Sequence, residues 1–391
     1  MSQAGTQIKK IKNAPKLRFP EFDEEWTKST LGEYTKSIAS GKSSNINIAE
    51  GSYVIYGSTG RIGTTNKFEY SGCKILVARV GANAGNIYRV DGKYGVSDNT
   101  LIVDLNENAD ISFIYNLIEK TNLNRLVFGS GQPLVTGGQL KKLKIVVSSK
   151  KEQHKIADFL TVVDGKINAL DKKVGLLKKY KKGMMQKIFP PTGGQVPEIR
   201  FKDEDGNKYP DWEEKQISKL AIINPKIQRL PDDFIYIDLE SVNQGILLYE
   251  KRIKKDYAPS RAQRLLKQQD ILYQTVRPYQ KNNLYFTLSG NYVASTGYAQ
   301  LRAKENPVFL YHLLHTDKFV NDVLIRCTGT SYPAINSTDL AGIYCKAPRH
   351  VEEQQKIADF LTTIDDKIQF EERKLADARR FKKFLLQQMF V

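Results

Sequence analysis

Gly41-Lys42-Ser43 has the form of the end of a phosphate-binding loop, in which backbone N–H groups and a lysine cradle a nucleotide. The glycine such a loop needs five residues earlier is Lys36, so the cradle is incomplete. Gly81-Ala-Asn-Ala-Gly85 is glycine-rich, but it lacks dinucleotide-binding spacing and a following amphipathic helix, and it reads as a tight turn. The four histidines (His154, His312, His315, His350) include His312-Leu-Leu-His315, without the glutamate and spacing of a zinc-protease helix. Glu213-Glu-Lys215 and Glu372-Arg-Lys374 share the Glu-x-Lys spacing of a metal-dependent nuclease. The second falls in a heptad-patterned stretch, where alternating charge is a solvated helix face. The first lies beside the acidic turn Asp203-Glu-Asp205 with no evident strand context. No Asn-Pro-Pro-aromatic tetrapeptide occurs, so adenine amino-methylation has no obvious home. No catalytic residue and no metal ligand is assigned.

What the residues offer instead is contact chemistry. In 37–108, Lys42, Ser43, Arg61, Lys67, Arg79, Asn83, Asn86 and Arg89 lie among glycines, which let a backbone approach phosphates. In 224–303, Lys226, Gln228, Arg229, Arg252, Arg261, Arg264, Arg277, Tyr279 and Lys281 concentrate the same functions. Gln132, Ser331 and Tyr332 join them from two Gly/Pro turns, and Arg79 and Arg277 each follow an expected strand. Arginine, asparagine and glutamine can bond base edges with two hydrogen bonds at once. Any one of these residues alone reads as solvated surface or a phosphate contact. As a set they resemble two nucleic-acid reading heads.

Composition agrees. The 391 residues hold 60 Lys plus Arg against 43 Asp plus Glu, a net charge of +17, which favours a polyanionic partner. No apolar run is long enough to span a bilayer, no secretory signal is visible, and Cys73, Cys327 and Cys345 make no disulfide framework. The expectation is a soluble intracellular protein of two or three domains.

The elements that must carry these residues come as a tandem repeat. Glu152-Gln-His-Lys-Ile-Ala-Asp-Phe-Leu160 and Glu353-Gln-Gln-Lys-Ile-Ala-Asp-Phe-Leu361 share eight of nine residues at an offset of 201. The offset also carries Asp164 onto Asp365 and Met185-Gln-Lys-Ile-Phe189 onto Leu386-Gln-Gln-Met-Phe390. Upstream, Pro15-Lys-Leu-Arg-Phe19 with Trp26 answers Pro197-Glu-Ile-Arg-Phe201 with Trp212, and Phe113-Ile-Tyr115 answers Phe309-Leu-Tyr311. Between these landmarks the halves diverge, so the frame is kept while each centre is not.

Each repeat ends in a heptad seam: Ile156, Leu160, Val163, Ile167, Leu170, Val174 and Leu177, then Ile357, Leu361, Ile364, Ile368, Leu375 and Leu385, with Lys181 and Lys382 interrupting at equivalent positions. Two long helices with matching seams are expected to pair. The expected order is a globular α/β (α+β) domain (1–150), a long helix (151–189), a Pro/Gly linker (190–195), a second such domain (196–350) and a second long helix (351–391). Strands are expected at Lys74–Arg79, Thr100–Asp104, Lys144–Val147, Phe234–Asp238 and Asp270–Tyr273, with helices around Ile111–Thr121 and Pro307–Leu314.

On these features the chain resembles a type I restriction-modification DNA specificity subunit. The resemblance rests on the tandem plan, the Glu-Gln-x-Lys-Ile-Ala-x-Phe-Leu start of both helices and Leu17-Arg-Phe-Pro-Glu-Phe22 followed by Trp26. Gly131-Gln-Pro133, Gly329-Thr-Ser-Tyr-Pro333 and Asp270-Ile-Leu with Arg277-Pro278 support it. It covers essentially the full chain. It implies two target recognition domains reading an interrupted double-stranded DNA sequence, spaced by an antiparallel coiled coil that docks methyltransferase subunits, two being expected. It also implies a cytoplasmic, prokaryotic, catalytically silent chain. S-adenosylmethionine would bind the modification subunits, and ATP and Mg²⁺ the restriction subunits. Two other readings stay open, a coiled-coil scaffold that binds proteins only and a nuclease built on Glu213 and Lys215.

Overall fold

The structure is a computed structural model that describes residues 13–42, 51–129, 133–190, 197–227, 229–329 and 331–391. Two compact units divide the chain, Met1–Lys172 with Glu372–Val391 and Lys173–Glu371, so each long helix contributes to both.

Unit one contains β1 (Thr27–Thr30), β2 (Thr35–Ser40), β3 (Tyr53–Gly57), β4 (Gly60–Thr65), β5 (Tyr70–Ser71), β6 (Lys74–Ala78), β7 (Ile87–Val90), β8 (Lys93–Val96) and β9 (Thr100–Leu105). There follow α1 (Ile111–Thr121), α2 (Gly137–Lys141), β10 (Lys144–Val147) and the start of α3 (Lys150–Ile188). One sheet has the order β2-β9-β6-β7, a second the order β4-β3-β8-β5, and β1 pairs with β10. Ile75, Leu76 and Val77 of β6 are fully buried, as a continuous apolar run in a central strand requires. In the second sheet β3 and β8 run parallel and the other pairs antiparallel.

Unit two contains β11 (Glu213–Gln216), α4 (Ile217–Leu220), β12 (Ala221–Ile223), β13 (Asp233–Ile237), β14 (Val242–Asn243), β15 (Ile246–Leu247), β16 (Lys251–Lys254), β17 (Ala262–Leu265), β18 (Ile271–Gln274), β19 (Leu284–Tyr285), β20 (Tyr292–Ser295) and β21 (Tyr298–Ala303). Helices α5 (Pro307–Leu314), α6 (Asp317–Ile325) and α7 (Ser337–Ala341), strand β22 (Tyr344–Ala347) and helix α8 (Val351–Met389) complete it. Its sheets are β12-β21-β18-β19 and β16-β13-β20-β17, with β11 on β22. Apart from the added hairpin β14-β15, this is the strand order of unit one, down to the single parallel pair, β13 with β20. The diverged centres therefore keep their topology, and what changes is the side chains that topology displays. Both expected helices form over the stated residues, while two expected strands are shifted by one, to Asp233–Ile237 and Ile271–Gln274.

The repeated motifs turn out to be one joint built twice. At the start of α3, the Glu152 carboxylate is buried and takes hydrogen bonds from Arg18 Nε (2.7 Å), Arg18 Nη2 (2.8 Å) and Trp26 Nε1 (3.1 Å). Glu353 at the start of α8 takes the same three from Arg200 (2.6 and 3.0 Å) and Trp212 (3.2 Å). Phe159 meets Phe19 edge-on at 5.9 Å, and Phe360 meets Phe201 at 5.8 Å. Gln153 and Gln354 tie the same turns to the carbonyls of Ser148 and Pro348. The opposite helix closes each core, with Phe390 of the C-terminal tail against Trp26 and Phe113 and Phe189 against Trp212 and Phe309. The shared sequence is thus spent on fastening helix to domain.

Within each unit α3 and α8 pack antiparallel. In unit one Asp164 meets Lys382 and Asp171 meets Arg379, both at 2.8 Å. In unit two Lys173 meets Glu371 at 2.7 Å and Lys181 meets Asp365 at 2.6 Å. Ile156, Leu160 and Val174 are buried, and Val163, Ile167, Leu170 and Leu177 are partly covered. Ile357, Leu361, Ile364, Ile368, Leu375 and Leu385 are all buried. The polar interruptions of the seam are ion pairs, Lys382 with Asp164 and Lys181 with Asp365, the same two positions with the helices exchanged.

Candidate nucleic-acid interface

Hydrogen-bond register identifies one loop in both units. In unit one, Val80 bridges Leu134, Val135 N–H donates to the Arg79 carbonyl (2.8 Å) and Gly81 N–H to the Pro133 carbonyl (3.0 Å). In unit two, Val276 bridges Ala334, Ile335 N–H donates to the Thr275 carbonyl (3.0 Å) and Arg277 N–H to the Pro333 carbonyl (2.8 Å). Arg277 therefore corresponds to Gly81, and Arg79 to Thr275, so the two arginines that follow strands β6 and β18 are not equivalents.

The loop backbones agree. Gly81 and Gly85 have φ of +76° and +90°, and Arg277 and Lys281 have +54° and +52°. A left-handed conformation costs a side-chain-bearing residue about 1–2 kcal/mol that glycine avoids. Unit two tolerates this twice in five residues, Arg277-Pro-Tyr-Gln-Lys281, where unit one has Gly81-Ala-Asn-Ala-Gly85. The Arg277 guanidinium lies 4.2 Å from the Tyr332 ring centroid, and Tyr332 and Tyr279 are exposed. An arginine held over an aromatic ring has fewer orientations open to its N–H edge, which favours two hydrogen bonds to a base. Lys281 is engaged beside the loop, its Nζ donating to the His315 carbonyl (2.9 Å) and to Asp317 (2.5 Å).

The other sequence candidates separate by their partners. Arg229 and Arg252 are taken by Asp232 (2.8 Å) and Asp233 (2.5 Å). Asn83 and Asn86 bond each other at 3.3 Å, and Arg89 bonds Ser112 Oγ at 2.7 Å. Arg61 on the edge strand β4, Lys67, Lys42, Lys226, Arg261 and Ser331 are exposed. Arg79 and Arg264 are half-buried, and the Nε atom of each is enclosed without a hydrogen-bond partner among the described residues. Burial pushes the Arg264 guanidinium below its usual pKa, the mark of a cation lacking a counter-charge. Ser43, Gln132 and Gln228 lie outside the described residues.

One expectation needs correction. Glu213-x-Lys215 does have a strand context, on β11, and there the two side chains neutralise each other at 2.5 Å, Lys215 holding the Glu213 carboxyl below its usual range. Among the described residues no three His, Cys, Asp or Glu side chains gather to hold a metal ion. Sequence reasoning also missed α6, which lengthens unit two after α5 and brings Lys318 beside Lys281. Its signal was the offset between halves, which grows from 196 at Phe113/Phe309 to 200 at Gly129/Gly329.

The type I restriction modification DNA specificity domain matches this chain twice, over residues 23–177 and 209–379. The chain belongs to that family. It is 26% identical to the type I restriction enzyme MjaVIII specificity subunit of Methanocaldococcus jannaschii over 97% of this chain and 95% of that protein. It is 30% identical to the EcoprrI specificity subunit of Escherichia coli over 39% of this chain and 40% of that protein. In fold it is similar to the type I restriction-modification S subunit from M. genitalium, with a TM-score of 0.67 and 19% identity, covering 97% of this chain and 99% of that one. No described helix is long and apolar enough to cross a membrane.

Proposed function

We propose that this chain is the non-catalytic DNA-reading subunit of a type I restriction-modification complex, each unit reading one part of an interrupted target. The observation that carries the reading is the pairing of the same order in both four-stranded sheets with unlike loop chemistry, glycine-ended at 81–85 and arginine- and lysine-ended at 277–281. A scaffold duplicated for stability alone has no need to place left-handed cations where its twin has glycine. A reader of two different half-sites does. The paired helices set the distance between the half-sites and dock the methyltransferase subunits. Those subunits bring S-adenosylmethionine, and the restriction subunits bring ATP and Mg²⁺.

The test is exchange of residues 37–108 for the corresponding segment of a relative, in cells that carry the partner methyltransferase. Methylation-site sequencing should then show one half of the modified motif changed and the other retained. Change in both halves would sink the division of labour. Metal-dependent cleavage by the isolated chain would instead favour the nuclease reading, and failure to bind DNA at any salt concentration the scaffold reading.

A further inference from the structure

In unit two the face of α3 bearing Lys178, Lys181 and Lys182 borders a cleft of about 380 Å³, closed by Lys281 of the 277–281 loop and by His315 and Lys318 at the α5–α6 corner. Met185 and Phe189 contribute apolar surface to it. Five lysines line the cleft against a single carboxylate, Asp317, which faces Lys281 at 2.5 Å. Behind the lining, Asp365 faces Lys181 (2.6 Å) and Asp322 faces Lys318 (2.7 Å). Lys178 has a further interaction of its own, and the surplus of positive charge belongs to the lining as a whole, five lysines to these three carboxylates. His315 adds no charge at neutral pH, because burial holds its imidazole down at about 4.

The same place in unit one is balanced. There Lys382, which matches Lys181, sits between Asp164 and Glu119 at 2.8 Å each. The N-caps Asp110 and Asn306 align α1 with α5, which puts His315 where Glu119 stands. Lys281 stands where Gly85 does, and Lys318 belongs to α6, where unit one has only the short 3-10 turn Leu123–Leu126 and the uncharged Asn122. Three separate changes thus shift one spot towards positive charge, against the mutual repulsion of its lysines.

We infer that this cleft grips a phosphodiester of the DNA backbone, so that α3 holds DNA as well as spacing the units. The occupant follows from Lys281, which belongs both to the cleft and to the loop that presents Arg277. A duplex whose bases meet the loop has its own backbone alongside. The inference rests on the reading of the chain as a DNA-binding subunit.

The experiment measures binding of the full chain to a short duplex of arbitrary sequence across a salt series. The Lys178→Gln/Lys182→Gln variant should bind several-fold more weakly, and its slope of log affinity against log salt should be shallower by about two, roughly 0.9 for each lysine–phosphate pair removed. The methylated motif should not change. Arg379→Gln/Lys383→Gln, at the matching positions of α8, should leave the slope at the parent value. Parent affinity and slope in the α3 variant, or an equal loss in both variants, would overturn the inference. Thermal stabilisation by inorganic pyrophosphate that the α3 variant loses, with no change in its DNA slope, would assign the cleft to a small free anion and also overturn it. A parent chain that binds no DNA would remove the underlying reading itself, and the cleft's assignment with it.

Discussion

At position 277 an arginine holds a backbone conformation that its twin leaves to Gly81, and this separates what the residue does for folding from what it does for binding. Arg277→Gly should raise stability, by up to about 1 kcal/mol, because the left-handed strain is relieved. The same change should relax one base of the half-site read by unit two. Arg277→Ala should weaken specific binding by about 1–3 kcal/mol if the guanidinium spans a base edge, and flatten the salt slope by about one on all sequences if it touches only phosphate. Thermal unfolding and methylation-site sequencing together read both effects, and unchanged affinity and slope would remove Arg277 from the interface. The buried carboxylates behave differently. Glu353→Gln leaves the Arg200 guanidinium, only 16% exposed, with only the exposed Asp211 at 3.7 Å as counter-charge, and should destabilise unit two by up to about 3 kcal/mol. Its effect on DNA sequence preference should be nil, and a changed motif would show that the joint reaches the interface. The identities around Glu152 and Glu353 were plain in the sequence. Their role was not, because a contact between residues 134 or 153 positions apart has no periodicity to reveal it.

At the scale of elements, legibility followed pattern length. The helices were readable over 39 residues each because a heptad repeat accumulates signal with every turn. Strands of two to six residues in the diverged centres offered little alternation to count, and the second sheet of each unit emerged only through its pairing. The seam also makes a prediction. Lys382 is 12% exposed between Glu119 and Asp164, so Lys382→Ala sets two carboxylates against each other and should cost about 1–3 kcal/mol. Replacing Lys382 by Met together with Asp164→Leu should recover part of that loss, since a packed apolar pair needs no counter-charge. Chemical denaturation of the single and double variants measures it, and a double variant no more stable than the single would place the lysine's contribution in packing alone.

For the whole molecule, the proposed spacing role predicts a ruler. One heptad added to each long helix, between Lys172 and Lys173 and between Glu371 and Glu372, keeps the seam in phase and lengthens it by about 10 Å. The gap in the methylated motif should widen by roughly three base pairs at about 3.4 Å each, with both half-sites unchanged. An active variant with the parent gap would return the helices to a role in local packing. The ion pairs of the seam also fix its direction. Each helix carries an aspartate and, 17 residues on, a lysine, at 164 and 181 and again at 365 and 382. Laid side by side in the same direction, the two copies would set lysine on lysine and aspartate on aspartate. Turned head to tail, every such position finds its opposite. A segment copied into the same chain is therefore complementary to its copy in one orientation only, and the duplication supplied in a single event both the second helix and the instruction for how it lies against the first.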